Sequence, residues 1–249
     1  MNLVAAVSDE RALYAVLAVY LAYVAWHWGR TSPRKAPRPL VAAYNLAVSA
    51  WSLVFALLLA QELRATMAAT PATMRIWRYT EKVYFVGCFS GNTPHLMYLY
   101  ALSLAVRVVE LLDTVLVVHS TQPLTFLHTF HHAATIWLAH VHVVEATPFQ
   151  WATLGVNAFV HIVMYFYHFL RAMAAARGLE PPSWKRLVTI LQIMQFVLLL
   201  TVYGTAMPAW LCGECYATPR AVYSAFAVLS AYLVLFARFY WQTYVKIVK

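Results

Sequence analysis

Seven long apolar runs dominate this chain, at roughly 12–28, 40–63, 95–118, 124–145, 149–170, 187–207 and 221–245. An α-helix rises about 1.5 Å per residue, so runs of about twenty apolar residues reach across the hydrocarbon core of a bilayer. A composition that is 63% hydrophobic and only 11% charged excludes a soluble domain, which could not hide so much apolar surface. The chain reads as an all-α membrane protein, one domain over residues 1–249, with seven transmembrane helices.

Two stretches separate spans clearly, "RTSPRKAPRP" at 30–39 and "ARGLEPPSWKR" at 176–186, while residues 65–94 read as a less apolar surface segment. Asp9, Glu10 and Arg11 precede the first run where a removable leader would be basic, so that run is expected to be retained as a span. Lys and Arg resist translocation. With the N-terminus outside, Arg30, Arg34, Lys35, Arg38, Arg171, Arg177, Lys185, Arg186, Lys246 and Lys249 are cytosolic. Arg11, Arg64, Arg75, Arg78, Lys82 and Arg220 face the other way. The net charge of +9 is thus mostly topological and does not point to nucleic acid, although a basic rim suits anionic headgroups or a phosphorylated substrate. Cys88, Cys212 and Cys215 fall near the non-cytosolic side, where disulfides persist. "CGEC" is read as structural, with one bridge from Cys88 to Cys212 or Cys215.

Polar groups inside spans need partners or a cavity. In "RVVELLDT", Arg107, Glu110, Asp113 and Thr114 share one helix face. In "LHTFHH", His128, His131 and His132 stand at i, i+3 and i+4. In "NAFVHIVMYFYH", Asn157, His161, Met164, Tyr165 and His168 follow the same spacing, and "TILQIMQF" aligns Thr189, Gln192 and Gln195. These faces converge on a polar chamber toward the cytosolic ends of the third to sixth spans. His119, His140, His142 and His168 are read as loop-edge or interfacial residues.

Clustered imidazoles suit two chemistries. As metal ligands they would resemble membrane di-iron desaturases or hydroxylases, which need several histidine boxes where this chain has one HxxHH. As a nucleophile or base, neutral imidazole offers a lone pair to an activated acyl group such as a thioester. No cysteine lies near the boxes. A third reading, a seven-helix receptor or transporter, would bind a ligand without making product.

The four segments resemble, in order and approximate spacing, the KxxExxDT, HxxHH, NxxxHxxMY and TxxQxxQ boxes of the ELO family of very-long-chain fatty acid elongases, over roughly residues 84–244. "PLTFLHTFHH" is most similar to the fungal and protozoan forms. The resemblance implies seven helices, six of them forming an inverted barrel around an acyl tunnel. It also implies a 3-oxoacyl-CoA synthase of the endoplasmic reticulum that condenses acyl-CoA with malonyl-CoA, releasing carbon dioxide and CoA, with no metal and no tightly bound cofactor. The N-terminus would be lumenal and the C-terminus cytosolic. Implied partners are both thioesters, membrane lipid, a second copy of the chain and the other enzymes of the elongation cycle.

By that resemblance His131 accepts the acyl group, His161 assists, and His128 and His132 complete the site. Asn157, His128 and Gln195 are the expected donors to an enolate. Arg107, Glu110, Asp113, Tyr165, Thr189 and Gln192 would line or support the chamber. Arg171, Lys185, Arg186 and Lys246 are assigned to CoA phosphates from charge and side alone. The chain departs from the family pattern at several points, three of them within or beside the boxes. Arg107 replaces the usual lysine, "VVHSTQP" lacks a basic cluster before the histidine box, and His168 replaces a tyrosine.

Overall fold

The computed structural model describes residues 3–30, 32, 34–69, 93–120, 123–145, 147, 149–213, 215 and 217–246. Every element among them is helical: α1 (Leu3–Val7), α2 (Glu10–His27), α3 (Arg38–Ala69), α4 (Pro94–Val109), α5 (Leu112–Val118), α6 (Phe126–Val144), α7 (Gln150–Ala176), α8 (Lys185–Leu211) and α9 (Pro219–Tyr240), which runs into a π-helical turn at Trp241–Val245. Cys88, Arg75, Arg78, Lys82, Lys249 and most of the 65–94 segment lie outside the described residues.

Several starts are set locally. Thr93 and Thr218 each precede a proline in the first turn, and their hydroxyls accept from the N–H of Leu96 and Ala221, both at 3.1 Å. The cap satisfies an orphan donor where proline has none to lose. Thr125 caps α6 in the same way through the N–H of His128 at 3.3 Å, which places the histidine box in the first two turns of that helix.

Arg38–Ala69, Gln150–Ala176, Lys185–Pro208 and Pro219–Val245 are long and apolar enough to cross a bilayer. The protein is a membrane protein whose described elements are all helical. Val19, Leu57, Phe159, Leu187 and Val234 remain exposed, as lipid-facing side chains do. Lipid gives helices no hydrophobic reason to associate, so close packing and hydrogen bonds hold them. Ser49 on α3 donates to the carbonyl of Ile162 on α7 at 2.9 Å. Packed pairs run α3 on α7, α7 on α8, α8 on α9, α9 on α6, α6 on α4 and α4 on α3. One apolar core gathers Phe55, Leu59, Leu96, Tyr100 and Ile136, and a second gathers Leu138, Phe196, Leu199, Tyr232 and Phe236. Helix α6 contributes to both.

The third expected span is not one regular helix. It breaks at Glu110–Leu111, where N–H groups reach back three residues: Leu111 to Val108 at 3.2 Å, Asp113 to Glu110 at 3.0 Å and Thr114 to Leu111 at 3.0 Å. In such tight turns side chains three apart eclipse each other. Arg107, Glu110 and Asp113 are therefore stacked along one side more closely than a regular helix would allow.

The two ends of the bundle are distinct. Ser32 N–H bonds the Val118 carbonyl at 3.1 Å, Ala36 N–H bonds the His119 carbonyl at 2.9 Å, and Arg38 donates to the Ala175 carbonyl. The end of α5, the start of α3 and the end of α7 thus meet at one end of the molecule. At the other end Arg220 pairs with Glu10 at 3.6 Å and with Glu145 at 3.3 Å. Cys215 near that end is disulfide-bonded and Cys212 is an exposed free thiol, so the two cysteines of "CGEC" are not joined to each other.

Candidate active site

A cavity of about 650 Å³ opens at the end where α3, α5 and α7 meet. Its wall carries Arg107, Glu110, Asp113, His128, His131, His132, His161, Tyr165, Gln192 and Gln195, and its mouth carries Lys35, Arg38 and Arg171. Ile136 from one apolar core and Phe236 from the other help close it.

Arg107, Glu110 and His161 form a buried triad in the cavity wall. Arg107 Nη1 lies 2.7 Å from Glu110 Oε2 and 3.1 Å from His161 Nδ1, and Glu110 Oε1 is 3.4 Å from the same His161 nitrogen. Removing two charges from water costs several kcal/mol each, and the cost is recovered only where geometry and extra hydrogen bonds are good. His161 supplies the third partner, and the triad in turn fixes its ring. Beside it Tyr165 donates to Asp113 Oδ2, and His132 Nε2 lies 3.9 Å from that oxygen.

On α6 the three histidines differ in their surroundings. His128 Nε2 is 3.0 Å from Thr114 Oγ1, which is 3.2 Å from the Tyr20 hydroxyl on α2. His128 and His132 have ring centroids 4.5 Å apart. The imidazole of His131 has no hydrogen-bond partner among the described residues. Instead it lines the cavity, with its ring 4.9 Å from Tyr232, 5.6 Å from His132 and 6.0 Å from Phe236. Tyr232 donates its hydroxyl proton to the His131 carbonyl at 3.0 Å, so the 2.8 Å contact with Thr135 Oγ1 is one it accepts. Among the described residues no group of three or more His, Cys, Asp or Glu side chains is arranged to hold a metal ion.

Buried carboxylates paired with Arg and His, an imidazole turned into a membrane-depth cavity, and a cationic mouth make up one continuous site. A family model described as "ELO: GNS1/SUR4 family" matches residues 6–249. The chain belongs to this family. It is 38% identical over 175 residues to a Schizosaccharomyces pombe protein provisionally named fatty acid elongase 1, covering 66% of this chain and 51% of that protein. A second protein of that organism, provisionally named fatty acid elongase 2, is 33% identical over 214 residues, covering 82% and 54%. Fatty acid elongase A of Dictyostelium discoideum is 35% identical over 169 residues, covering 63% and 57%. The chain spans about half the length of the curated relatives it matches.

Within this ELO family chain, most residues singled out from sequence come together, with exceptions. Asn157 is half-buried on α7, one turn from His161, and does not line the cavity. Thr189 is buried 3.4 Å from the Tyr244 hydroxyl, away from the cavity. Lys185 lies 6.0 Å from the Tyr244 ring, and Arg186 donates to the Tyr240 hydroxyl at 2.7 Å. The aromatic residues of the C-terminal turn hold both cations outside the cavity lining, and Lys246 is exposed beyond it.

His119 and His168, expected at loop edges and interfaces, both line the cavity, whereas His140 and His142 are buried elsewhere. Lys35 and Arg38 carried only a topological reading, and Tyr20 and Tyr232 none. The charge run in "RTSPRKAPRP" was a usable signal for the first two. A lone tyrosine in an apolar span gives no signal, because its role depends on which helix faces it.

Proposed function

We propose that this protein is a 3-oxoacyl-CoA synthase that condenses a long-chain acyl-CoA with malonyl-CoA in the endoplasmic reticulum membrane. One observation carries the reading: among the described residues, the imidazole of His131 has no hydrogen-bond partner and faces a cavity with no cysteine in its lining. The six packed helix pairs that link α3, α4, α6, α9, α8 and α7 support an inverted barrel with α2 outside it, hence seven spans. The cationic mouth would be cytosolic and the Arg220 end lumenal.

In the first half-reaction a ring nitrogen lone pair of His131 attacks the thioester carbonyl. The carbon–sulfur bond breaks, the thiolate takes the proton released from the imidazole, and CoA departs, leaving an acyl-imidazole. In the second, malonyl-CoA loses carbon dioxide and its enolate carbon attacks that acyl group. The carbon–nitrogen bond breaks, one solvent proton restores neutral His131, and 3-oxoacyl-CoA leaves. The enolate oxygen needs donors aimed at it. His128 and Gln195 are assigned that task, since Asn157 stands off the cavity lining. His161, held by Glu110 and Arg107, assists as the second imidazole, and His132 and Asp113 support it.

The acyl tail would run away from the mouth, toward an apolar cavity of about 520 Å³ between α3, α7 and α8. Val156 of that cavity is one turn from Val160 of the polar one. No metal or tightly bound cofactor is required in this scheme, and a homodimer and the later enzymes of the cycle are its expected partners. Incubation of purified protein with a mixed acyl-CoA pool and malonyl-CoA, followed by mass spectrometry, should give 3-oxoacyl-CoA two carbons longer than the substrate consumed. Absence of any such product across all chain lengths would sink the proposal. Stoichiometric iron with oxygen consumption would favour a di-iron oxidase instead.

A further inference from the structure

Helix α2 packs on the outside of the helix ring, yet one of its side chains reaches the reacting groups. Its packing against α6 carries Tyr20, buried within an otherwise apolar run, up to the hydroxyl of Thr114 on α5. The Tyr20 hydroxyl lies 3.2 Å from Thr114 Oγ1, which lies 3.0 Å from His128 Nε2. Tyr20 and Thr114 are both buried, so three groups from three helices form a single file that ends on the histidine box.

The protons of such a file can run in either direction, and the direction decides the tautomer of His128. The phenol proton of Tyr20 has two acceptors within reach, Thr114 Oγ1 at 3.2 Å and the Thr129 carbonyl at 3.5 Å, a distance at which a hydrogen bond is weak. That carbonyl lies inside α6, where the N–H four residues on is its regular helical partner. The phenol therefore donates to Thr114, whose own single proton goes to His128 Nε2. A nitrogen that accepts carries no proton, so neutral His128 keeps its proton on Nδ1. The ring lines the polar cavity and makes no other hydrogen bond among the described residues, which leaves Nδ1–H for a ligand there. Run the other way, the file would leave His128 a bare nitrogen, which cannot donate to an anionic oxygen.

We propose that Tyr20 of the outer helix is a positioning residue: through Thr114 it fixes the Nδ1–H tautomer of His128, the form that donates to the enolate oxygen in the condensation step. The use of that donor rests on the elongase reading above, whereas the tautomer itself does not. Nitrogen NMR of protein with isotope-labelled histidine rings, in nanodiscs, reports which ring nitrogen is protonated, and the signal missing from His128→Gln assigns the residue. Wild-type protein should show a protonated Nδ1 and a bare Nε2, and Tyr20→Phe a mixture of the two tautomers. A protonated Nε2 in the wild type, or a tautomer unmoved by Tyr20→Phe, overturns the proposal.

Kinetics separate positioning from packing. Tyr20→Phe should lower kcat for condensation about fivefold, the bias that one net hydrogen bond supplies, with KM for both thioesters unmoved. Release of CoA from acyl-CoA alone, which needs no enolate, should keep its wild-type rate. Thr114→Ser should match the wild type, while Thr114→Val and the double variant Tyr20→Phe/Thr114→Val should be equally slow, because two breaks in one file count once. Losses that add, or that slow CoA release equally, would assign Tyr20 to packing alone and overturn the proposal. A protein inactive toward every thioester that still shows the Tyr20-dependent tautomer refutes the elongase reading and keeps the relay.

Discussion

Helix α7 lines both cavities, and its two halves are made of different residues. From Val160 to Ala175 it presents His161, Met164, Tyr165, His168 and Arg171 to the polar cavity; from Trp151 to Val156 it presents Ala152, Gly155 and Val156 to the apolar one. The apolar half asks less of its neighbours, because Ala152, Gly155 and Val156 carry no polar side-chain atoms, although Trp151 Nε1 and Gln150 Oε1 beside them are buried without a hydrogen-bond partner among the described residues. The polar half is viable only because α4, α5 and α6 supply Arg107, Glu110, Asp113 and the histidine box at matching heights. Chemistry at membrane depth therefore depends on neighbouring helices in a way that the lipid-like half does not.

The largest effect is expected where the polar half meets substrate. His131→Ala should reduce condensation at least a thousandfold while the protein elutes and melts like wild type, since the ring makes no hydrogen bond among the described residues that the fold relies on. A correctly folded variant with near-normal turnover would remove His131 as acyl carrier and leave His161 to be tested as nucleophile.

Next comes the triad. Arg107→Ala or Glu110→Ala leaves a buried charge unpaired and should cost about 3–5 kcal/mol of stability, read as a loss of melting temperature in detergent. Replacing both with Met should recover much of that loss yet leave condensation low, because His161 would no longer be held. Recovery of activity along with stability would show that the pair only supports the fold. A third and smaller effect is expected at Tyr232. Tyr232→Phe keeps the ring beside His131 but loses the bond to its carbonyl, and should lower kcat about tenfold with KM for both thioesters unmoved. A matching rise in KM would instead point to a substrate contact.

The same asymmetry governs what could be read from sequence. Spacing at three and four residues put His128, His131, His132, His161, Glu110 and Asp113 on inward faces, because groups that cannot face lipid must share a side. The break at Glu110–Leu111 was not legible: nothing in "RVVELLDT" distinguishes a regular turn from the tighter one that stacks Arg107, Glu110 and Asp113. The mouth was legible only in part for a related reason. Charge and side alone pointed to Arg171, Lys185, Arg186 and Lys246; Arg171 lines the cavity, whereas Lys185 and Arg186 stand against Tyr244 and Tyr240, more than fifty residues away in the chain. Spacing along one helix reports a shared face, and it carries no information about what lies opposite.

The smallest effect would show whether the two halves of α7 serve one substrate. If the acyl tail reaches the apolar cavity, then Ala152→Leu adds bulk at its wall and should penalise the longest accepted acyl-CoA by about 1–2 kcal/mol, near the worth of one or two buried methylenes. Shorter chains, which end before Val156, should be turned over within about twofold of wild type, well inside one tenfold step of about 1.4 kcal/mol. The product ladder from a mixed pool therefore shifts by one two-carbon step without a change in total rate. Equal rates at every chain length would mean that the tail turns elsewhere and that the apolar cavity only faces lipid. A uniform loss at every length would mean instead that the substitution disturbs the packing of α3 against α7, which a lowered melting temperature would reveal.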